Sequence, residues 1–294
     1  MMIKLSAIQL NSKANVEENL QTIESQLHKL TSTPLADLDA SGISDVHSHI
    51  EHIVALPECC LFFGAKDNAQ LLLAKDSYTN NDLQAALSAL AKQYKVTLIG
   101  GTIPLLTNDG NKFTNTSCAF NSNGVLIGRY DKIHLFDVNV EDTEKNYHES
   151  RFTQAGKNPC LVKTPFVNIG LTVCFDVRFP MLYQKLTALG ADIITVPSAF
   201  TRITGKAHWQ TLLQARAIEN QVYIIAAGQE GVHENGRETW GHSMIISPWG
   251  EVLASISTGE GLISSDFIPE EIKRIRTSMP LQHTAEINVK LSDK

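Results

Sequence analysis

The chain has 294 residues, 43% of them hydrophobic and 19% charged, with a formal net charge of −6. A chain of that size can bury a core that needs neither disulfide nor metal to stay folded. No run of Lys and Arg forms an electrostatic footprint, which argues against nucleic acid as a partner, and no stretch approaches the ~18 consecutive apolar residues that span a bilayer.

Ile3–Leu10 alternates as a strand does, without the apolar segment and small-residue cleavage site of a secretory signal. Five cysteines, two of them the neighbours Cys59 and Cys60, fit reduced thiols and a cytoplasmic location. Val16, Leu20, Ile23, Leu27 and Leu30 recur three or four apart and predict a helix. Thr31–His49 is polar and reads as an exposed loop insertion. His52–Leu56 is a strand leading into Pro57-Glu58, Leu83–Leu90 a second helix, and Val96–Gly100 a strand ending in the tight turn Gly100-Gly101. Asn121–Gly124, between Thr116–Phe120 and Val125–Ile127, has the Asn-Gly chemistry of a hairpin.

Further on, Ile169–Val173 reads as a buried strand, Pro180–Leu189 as a helix and Ile193–Val196 as a third apolar run. A loop over 198–206 then leads to a helix over Ala207–Asn220. Val222–Ala227, Met244–Ser247, Val252–Ser255 and Leu262–Phe267 are strands, and Pro269 opens a last helix. With no repeat and no dividing linker, residues 1–294 read as one α/β domain, a layered sandwich with hairpins rather than an all-parallel sheet.

Three residues stand out as chemistry. Cys174 ends an apolar strand and enters a turn towards a helix, where backbone N–H groups and a nearby cation would favour a reactive thiolate. Glu58 emerges from the end of a buried strand, as a general base needs to. Lys132 interrupts an apolar strand exit and can stabilise a thiolate or an oxyanion. Taken singly, each has a plainer reading, as a core cysteine, a surface carboxylate and a solvated strand-end charge.

Leu56-Pro-Glu58, Tyr130-Asp-Lys132-Ile-His-Leu-Phe-Asp137 and Val173-Cys174-Phe-Asp-Val-Arg-Phe-Pro180, in that order, resemble the nitrilase (carbon–nitrogen hydrolase) superfamily over nearly the whole chain. The resemblance implies a Glu-Lys-Cys triad on a four-layer αββα sandwich. It also implies dimers formed through a helical face, and amide hydrolysis through a thioester with no metal or organic cofactor. In that scheme Glu58 is the base, and Lys132 and the Phe175 N–H hold the oxyanion. Glu149, in His148-Glu-Ser-Arg-Phe, occupies the place of the family's second glutamate.

Pro197–Trp209, Leu213–Glu219 and Gly241–Gly250 are similar to the branch that hydrolyses deaminated glutathione. An ω-amidase acting on short α-keto acid amides such as α-ketoglutaramate is the alternative, and an inactive binding scaffold a more distant one. A substrate with a carboxylate at each end calls for cations, so Arg178, Arg202 and Thr204 are candidate substrate contacts. The Thr31–His49 loop and the charged stretch Val138–Lys145 depart from the family pattern and leave substrate shape open. His47 and His49, with Glu51 and His52, invite a metal test, although solvated histidines are the better reading. Trp209, Trp240 and Trp249 read as core or pocket wall, and Arg216 and Glu219 as a structural pair.

Overall fold

The computed structural model describes residues 2–32, 50–66, 68–139 and 146–281. Two sheets form its centre. The first runs, edge to edge, Gly261–Asp266, Met2–Gln9, Ile50–Ala55, Thr97–Ile99 and Phe113–Phe120, and the last strand also pairs with Ile103–Leu106 and Leu126–Asp131. Met2–Gln9, Ile50–Ala55 and Thr97–Ile99 are mutually parallel, and the remaining pairings are antiparallel. The second sheet runs Val252–Ile256, Ser243–Ile246, Tyr223–Ala226, Ile193–Thr195, Asn168–Leu171 and Cys160–Lys163, with three parallel strands at its centre.

The period-2 alternation of the first sheet divides its side chains between two cores. Leu5, Ala7, Ile53, Ala55, Ile99 and Ala119 join Ile169, Leu171, Ile193 and Ile225 in the layer between the sheets. Ile8, Leu10, Val54, Leu56, Leu98 and Phe120 face the other way. They cover Ile23 and Leu27 of helix Val16–Ser32 and Leu83, Leu87 and Leu90 of helix Asp82–Tyr94. On the far side, Leu182, Tyr183 and Leu186 of helix Pro180–Ala188 and Trp209, Leu213 and Ala217 of helix Arg202–Asn220 cover the second sheet. The result is the α/β four-layer αββα sandwich, with helix Pro269–Ser278 beside the second sheet through Ile272 and its contact to the same core.

Several boundaries differ from expectation. The first helix runs on to Ser32, so Thr31 and Ser32 are helical, and the rest of the predicted 31–49 loop lies outside the described residues, as do His47 and His49. Helix Ala69–Asp76 was not foreseen, because eight residues with little amphipathic contrast give no periodic signal. The expected loop over 198–206 is mostly helix: Thr201 caps Arg202–Asn220, its Oγ1 accepting from the Thr204 N–H at 3.4 Å. Gly205 disguises that helix start, and its reason is packing, since a Cβ there would sit 2.3 Å from the Trp240 side chain. Trp209 is core, Trp240 stacks on His242 at 4.0 Å, and Trp249 is exposed, which is neither core nor pocket wall. Arg216 and Glu219 do pair, at 2.8 Å.

Candidate active site

Strand Ile50–Ala55 delivers Glu58 three residues beyond its C-terminal end, at the rim of the inter-sheet layer. Its turn is held on both sides. The Gln229 Nε2 donates to the Glu58 carbonyl at 2.9 Å, and the Cys59 N–H donates to Thr102 Oγ1 at 2.8 Å. Gly101 lies against the same turn with φ of +55°, where a Cβ would meet the Pro57 carbonyl oxygen at 2.0 Å, so only glycine fits.

Lys132 follows strand Leu126–Asp131 and is 2% exposed. Its N–H donates to the Asn115 carbonyl and its carbonyl accepts from the Gly156 N–H, which fixes the backbone across the site mouth. The ammonium Nζ lies 2.8 Å from Glu58 Oε1 and 2.8 Å from Glu149 Oε2. Glu149, in the short turn Glu149–Arg151, also accepts from the Phe136 N–H at 2.7 Å. Burial works against the ammonium, but the Glu149 and Glu58 carboxylates outweigh it and hold Lys132 well above its ordinary value.

Cys174 follows strand Asn168–Leu171 and begins the five-residue 3₁₀ turn Cys174–Arg178, with φ of +48°. A left-handed backbone on a residue with a Cβ is strained, and such strain gathers at functional sites. The turn is secured by the Cys174 N–H donating to the Pro197 carbonyl at 2.8 Å and by Asp176, whose Oδ2 accepts from the Val173 N–H at 2.8 Å. The thiol and the Glu58 carboxylate face the same cavity and interact electrostatically.

One expectation is corrected here. The turn and the cation were to make Cys174 a ready thiolate. Burial first, and then the Glu58 carboxylate, push its thiol well above the ordinary value, with Lys132 only partly offsetting them. The α-helix starts only six residues later, at Pro180, so Cys174 opens the short 3₁₀ turn and not the helix itself. Glu58 itself sits below its ordinary value: burial works to raise it, and Lys132, then the hydrogen bonds from Cys174 and Asn115, bring it down. The resting arrangement is a neutral thiol and an ionised carboxylate beside an ammonium, which suits proton removal as the sulfur attacks.

Three partners in this arrangement were not foreseen. Asn115 Nδ2 donates to Glu58 Oε1 at 2.9 Å and to Glu149 Oε1 at 3.2 Å. The Ala199 N–H donates to Glu58 Oε2 at 3.0 Å, a backbone contact with no sequence signal. Asp176 accepts four hydrogen bonds, from Val173, Tyr130 and, twice, His134.

Glu58, Lys132, Cys174 and Glu149 all line one cavity of about 240 Å³, walled by Phe62, Phe63, Phe136, Tyr147, Phe175 and Phe200. The predicted contacts divide. Thr204 lines the cavity. Arg178 stands behind its wall, its guanidinium 5.8 Å from the Phe175 ring centroid and 5.2 Å from that of Phe200. Among the described residues it is paired with no carboxylate; its Nη1 lies 3.3 Å from His208 Nδ1. Arg202 is outside the cavity, half-exposed, and bridges to Glu238 at 3.0 Å. Besides Lys132, the cations that line the cavity are Lys66, Arg151 and Arg237, with Arg237 stacked on Tyr147 at 4.9 Å and on Phe63 at 5.2 Å. Among the described residues no group of three His, Cys, Asp or Glu could hold a metal ion, and no helix is long and apolar enough to cross a membrane.

The carbon–nitrogen hydrolase family matches residues 4–277. A deaminated glutathione amidase from Synechocystis sp. is 40% identical over 282 residues, covering 95% of this chain and 96% of its own. The human Omega-amidase NIT2 is 35% identical over 229 residues, covering 78% and 81% respectively. Among solved structures, Saccharomyces cerevisiae Nit3, a member of branch 10 of the nitrilase superfamily, superposes with a TM-score of 0.80 at 29% identity over 96% of this chain and 95% of its own.

Proposed function

The chain belongs to the carbon–nitrogen hydrolase family and is an amidase, and from that premise we propose that it cleaves deaminated glutathione to 2-oxoglutarate and cysteinylglycine. The observation that carries the chemistry is the Glu58 carboxylate, ion-paired with the Lys132 ammonium and lining one cavity with the Cys174 thiol.

In this reading Glu58 takes the thiol proton as Cys174 Sγ attacks the amide carbon. The carbonyl π electrons move to oxygen, where Lys132 and the Phe175 N–H, an amide of the first turn with no partner within that turn, stabilise the charge. The intermediate collapses, the C–N bond breaks, and Glu58 returns its proton to the leaving nitrogen. A thioester remains on Cys174. Glu58 then takes a proton from water, hydroxide adds to the thioester, and the sulfur leaves and recovers its proton. Every proton passes through one carboxylate, and Glu149 keeps the ammonium in place.

The substrate reading is supported by the 40% identical relative and by three cations on the cavity wall, Lys66, Arg151 and Arg237, suited to a molecule with a carboxylate at each end. Short α-keto acid amides remain the second reading, favoured by the likeness to the ω-amidase. Offering purified protein both substrates side by side tests it. Release of cysteinylglycine well above release of ammonia from α-ketoglutaramate supports the first reading, and the reverse order replaces it with the second. We also infer a cytoplasmic enzyme, in keeping with five free cysteines, and a homodimer. The dimer is supported by the exposed apolar side chains Met181, Ile218 and Trp249 on the outer face of the second sheet's helices and adjoining turn. Sedimentation at micromolar concentration checks it, and a monomer there would remove it.

A further inference from the structure

Lys132 answers two carboxylates, and one ammonium between two carboxylates leaves a net negative charge in a buried place. Carboxyl groups in that situation tend to hold one proton between them, because like charges at close range disfavour double ionisation. A proton lodged there would disable a base. Something must oppose it.

Asn115 is placed to do so. It lies in strand Phe113–Phe120, is 5% exposed, and lines the cavity. Its neighbours Thr114 and Thr116 turn to the opposite face, where their hydroxyls pair at 2.7 Å. Nδ2 carries two hydrogens, and they go to the two glutamates, at 2.9 Å to Glu58 Oε1 and 3.2 Å to Glu149 Oε1. An amide NH₂ only donates, so it stabilises a carboxylate and offers nothing to a carboxylic acid proton. The Asn115 carbonyl meanwhile accepts from the Lys132 backbone N–H at 2.9 Å, so one residue touches both carboxylates and the backbone that carries the ammonium.

We propose that Asn115 is a positioning residue that keeps Glu58 ionised beside the Glu149 carboxylate, and so sets the lowest pH at which the base can work. The inference rests on the reading of Glu58 as general base. The charged and titratable groups facing Glu58 are Lys132, Glu149, Cys174 and Cys59, to which the Ala199 N–H adds a fixed donor. Lys132 Nζ and Asn115 Nδ2 each reach both carboxylates.

The sign follows directly. Glu58 acts only when ionised, so activity appears as pH rises through its pKa. Removing a donor that favours the ion raises that pKa and carries the acidic limb upward. A merely structural asparagine would change stability or kcat at every pH alike and leave the limb where it was.

The test is the pH profile of kcat/KM together with the pH profile of Cys174 alkylation by chloroacetamide, read by mass spectrometry. Wild type, Asn115→Ala, Asn115→Asp and Glu58→Gln are compared. In Asn115→Ala the acidic limb should rise by about one pH unit, a loss of about tenfold in kcat/KM on the acid side that closes at higher pH. Asn115→Asp is isosteric, so it guards against misfolding, and its third carboxylate should move the limb further in the same direction. Limbs unmoved in both variants overturn the inference. Glu58→Gln separates the premise from it: a limb of alkylation that survives this change removes Glu58 as the base, whereas a limb that vanishes there but does not move in the Asn115 variants sinks the Asn115 role alone.

Discussion

Tyr130 Oη donates to Asp176 Oδ2 at 2.8 Å, so the strand that carries Lys132 and the turn that carries Cys174 are tied to one buried carboxylate. The other donors come from the same two segments: Val173 N–H from the strand before the turn, and His134 N–H and Nδ1 from beyond Lys132. Asp176 thus sets the distance between lysine and cysteine without touching either.

Asp176→Asn turns an NH₂ towards donors that need an acceptor. Loss of a partner for a buried polar group costs about 1–3 kcal/mol, and the variant should lose stability in that range. Because the shift misaligns lysine and cysteine, kcat should fall more than KM rises. Urea unfolding and steady-state kinetics read the two effects, and a kcat equal to wild type would show that the turn keeps its place unaided.

Cys174 occupies a backbone region that suits glycine. Both Cys174→Ala and Cys174→Gly should abolish turnover, but they should differ in stability. Relief of left-handed strain amounts to about 1–2 kcal/mol, so the glycine variant should be the more stable of the two by about 1 kcal/mol after its extra unfolded-state entropy is counted. Denaturant midpoints compare them directly.

Lys132→Met leaves two buried carboxylates without their cation. Removing one partner of a buried ion pair costs about 3–5 kcal/mol, and turnover should fall by at least about 10²–10³. The pH dependence should also reverse. In wild type the Glu58 pKa is depressed, so its stabilisation is present above the ordinary 4.5 and lost as pH falls through the depressed value. The Lys132 pKa is raised, so its share is full below 10.5 and lost as pH rises through the raised value. Without the lysine, burial raises the Glu58 carboxyl instead, and the variant should grow more stable from pH 7 towards 5. Thermal melts across that range check it.

His233 is buried against Phe63, with Nε2 2.7 Å from Thr239 Oγ1. Burial first, then Arg237 and Lys13, against a hydrogen bond with the Ser12 backbone, bring its pKa from 6.5 to about 4. A depressed histidine means the unfolded chain takes the proton first, so stability is complete above 6.5 and declines towards 4. The loss over that window should reach about 3 kcal/mol, and His233→Gln should flatten it in melts recorded at successive pH values.

That Glu58, Lys132 and Cys174 share one cavity was legible because each stands at or just past the end of a strand. Asn115 was not, although parity could have found it: it shares the inward face of its strand with Ala119. A polar residue in an alternating strand looks the same whether it meets water or a buried carboxylate. Asp176 was hidden for a similar reason, since its four donors come from segments separated by about 40 residues of chain, a span no local pattern reports. Arg202 was the opposite error. A cation near a strand end suggested a carboxylate reader, but the start of helix Arg202–Asn220 carries it outward to Glu238. Sequence spacing gives proximity along the chain, and the helix decides direction.

Glu58, Asn115, Lys132 and Cys174 come from four segments: Asn115 is in a strand of the first sheet, Glu58 just beyond another, and Cys174 just beyond a strand of the second. No part of the chain shorter than their span holds the set. During synthesis and refolding the sulfur therefore has no carboxylate to take its proton until the two sheets have docked. Pairings so distant in sequence form slowly, because loop closure precedes their reward. Recovery of electrophile-sensitive Cys174 should accordingly trail recovery of secondary structure after dilution from denaturant, making the nucleophile's own reactivity a clock for the last step of assembly.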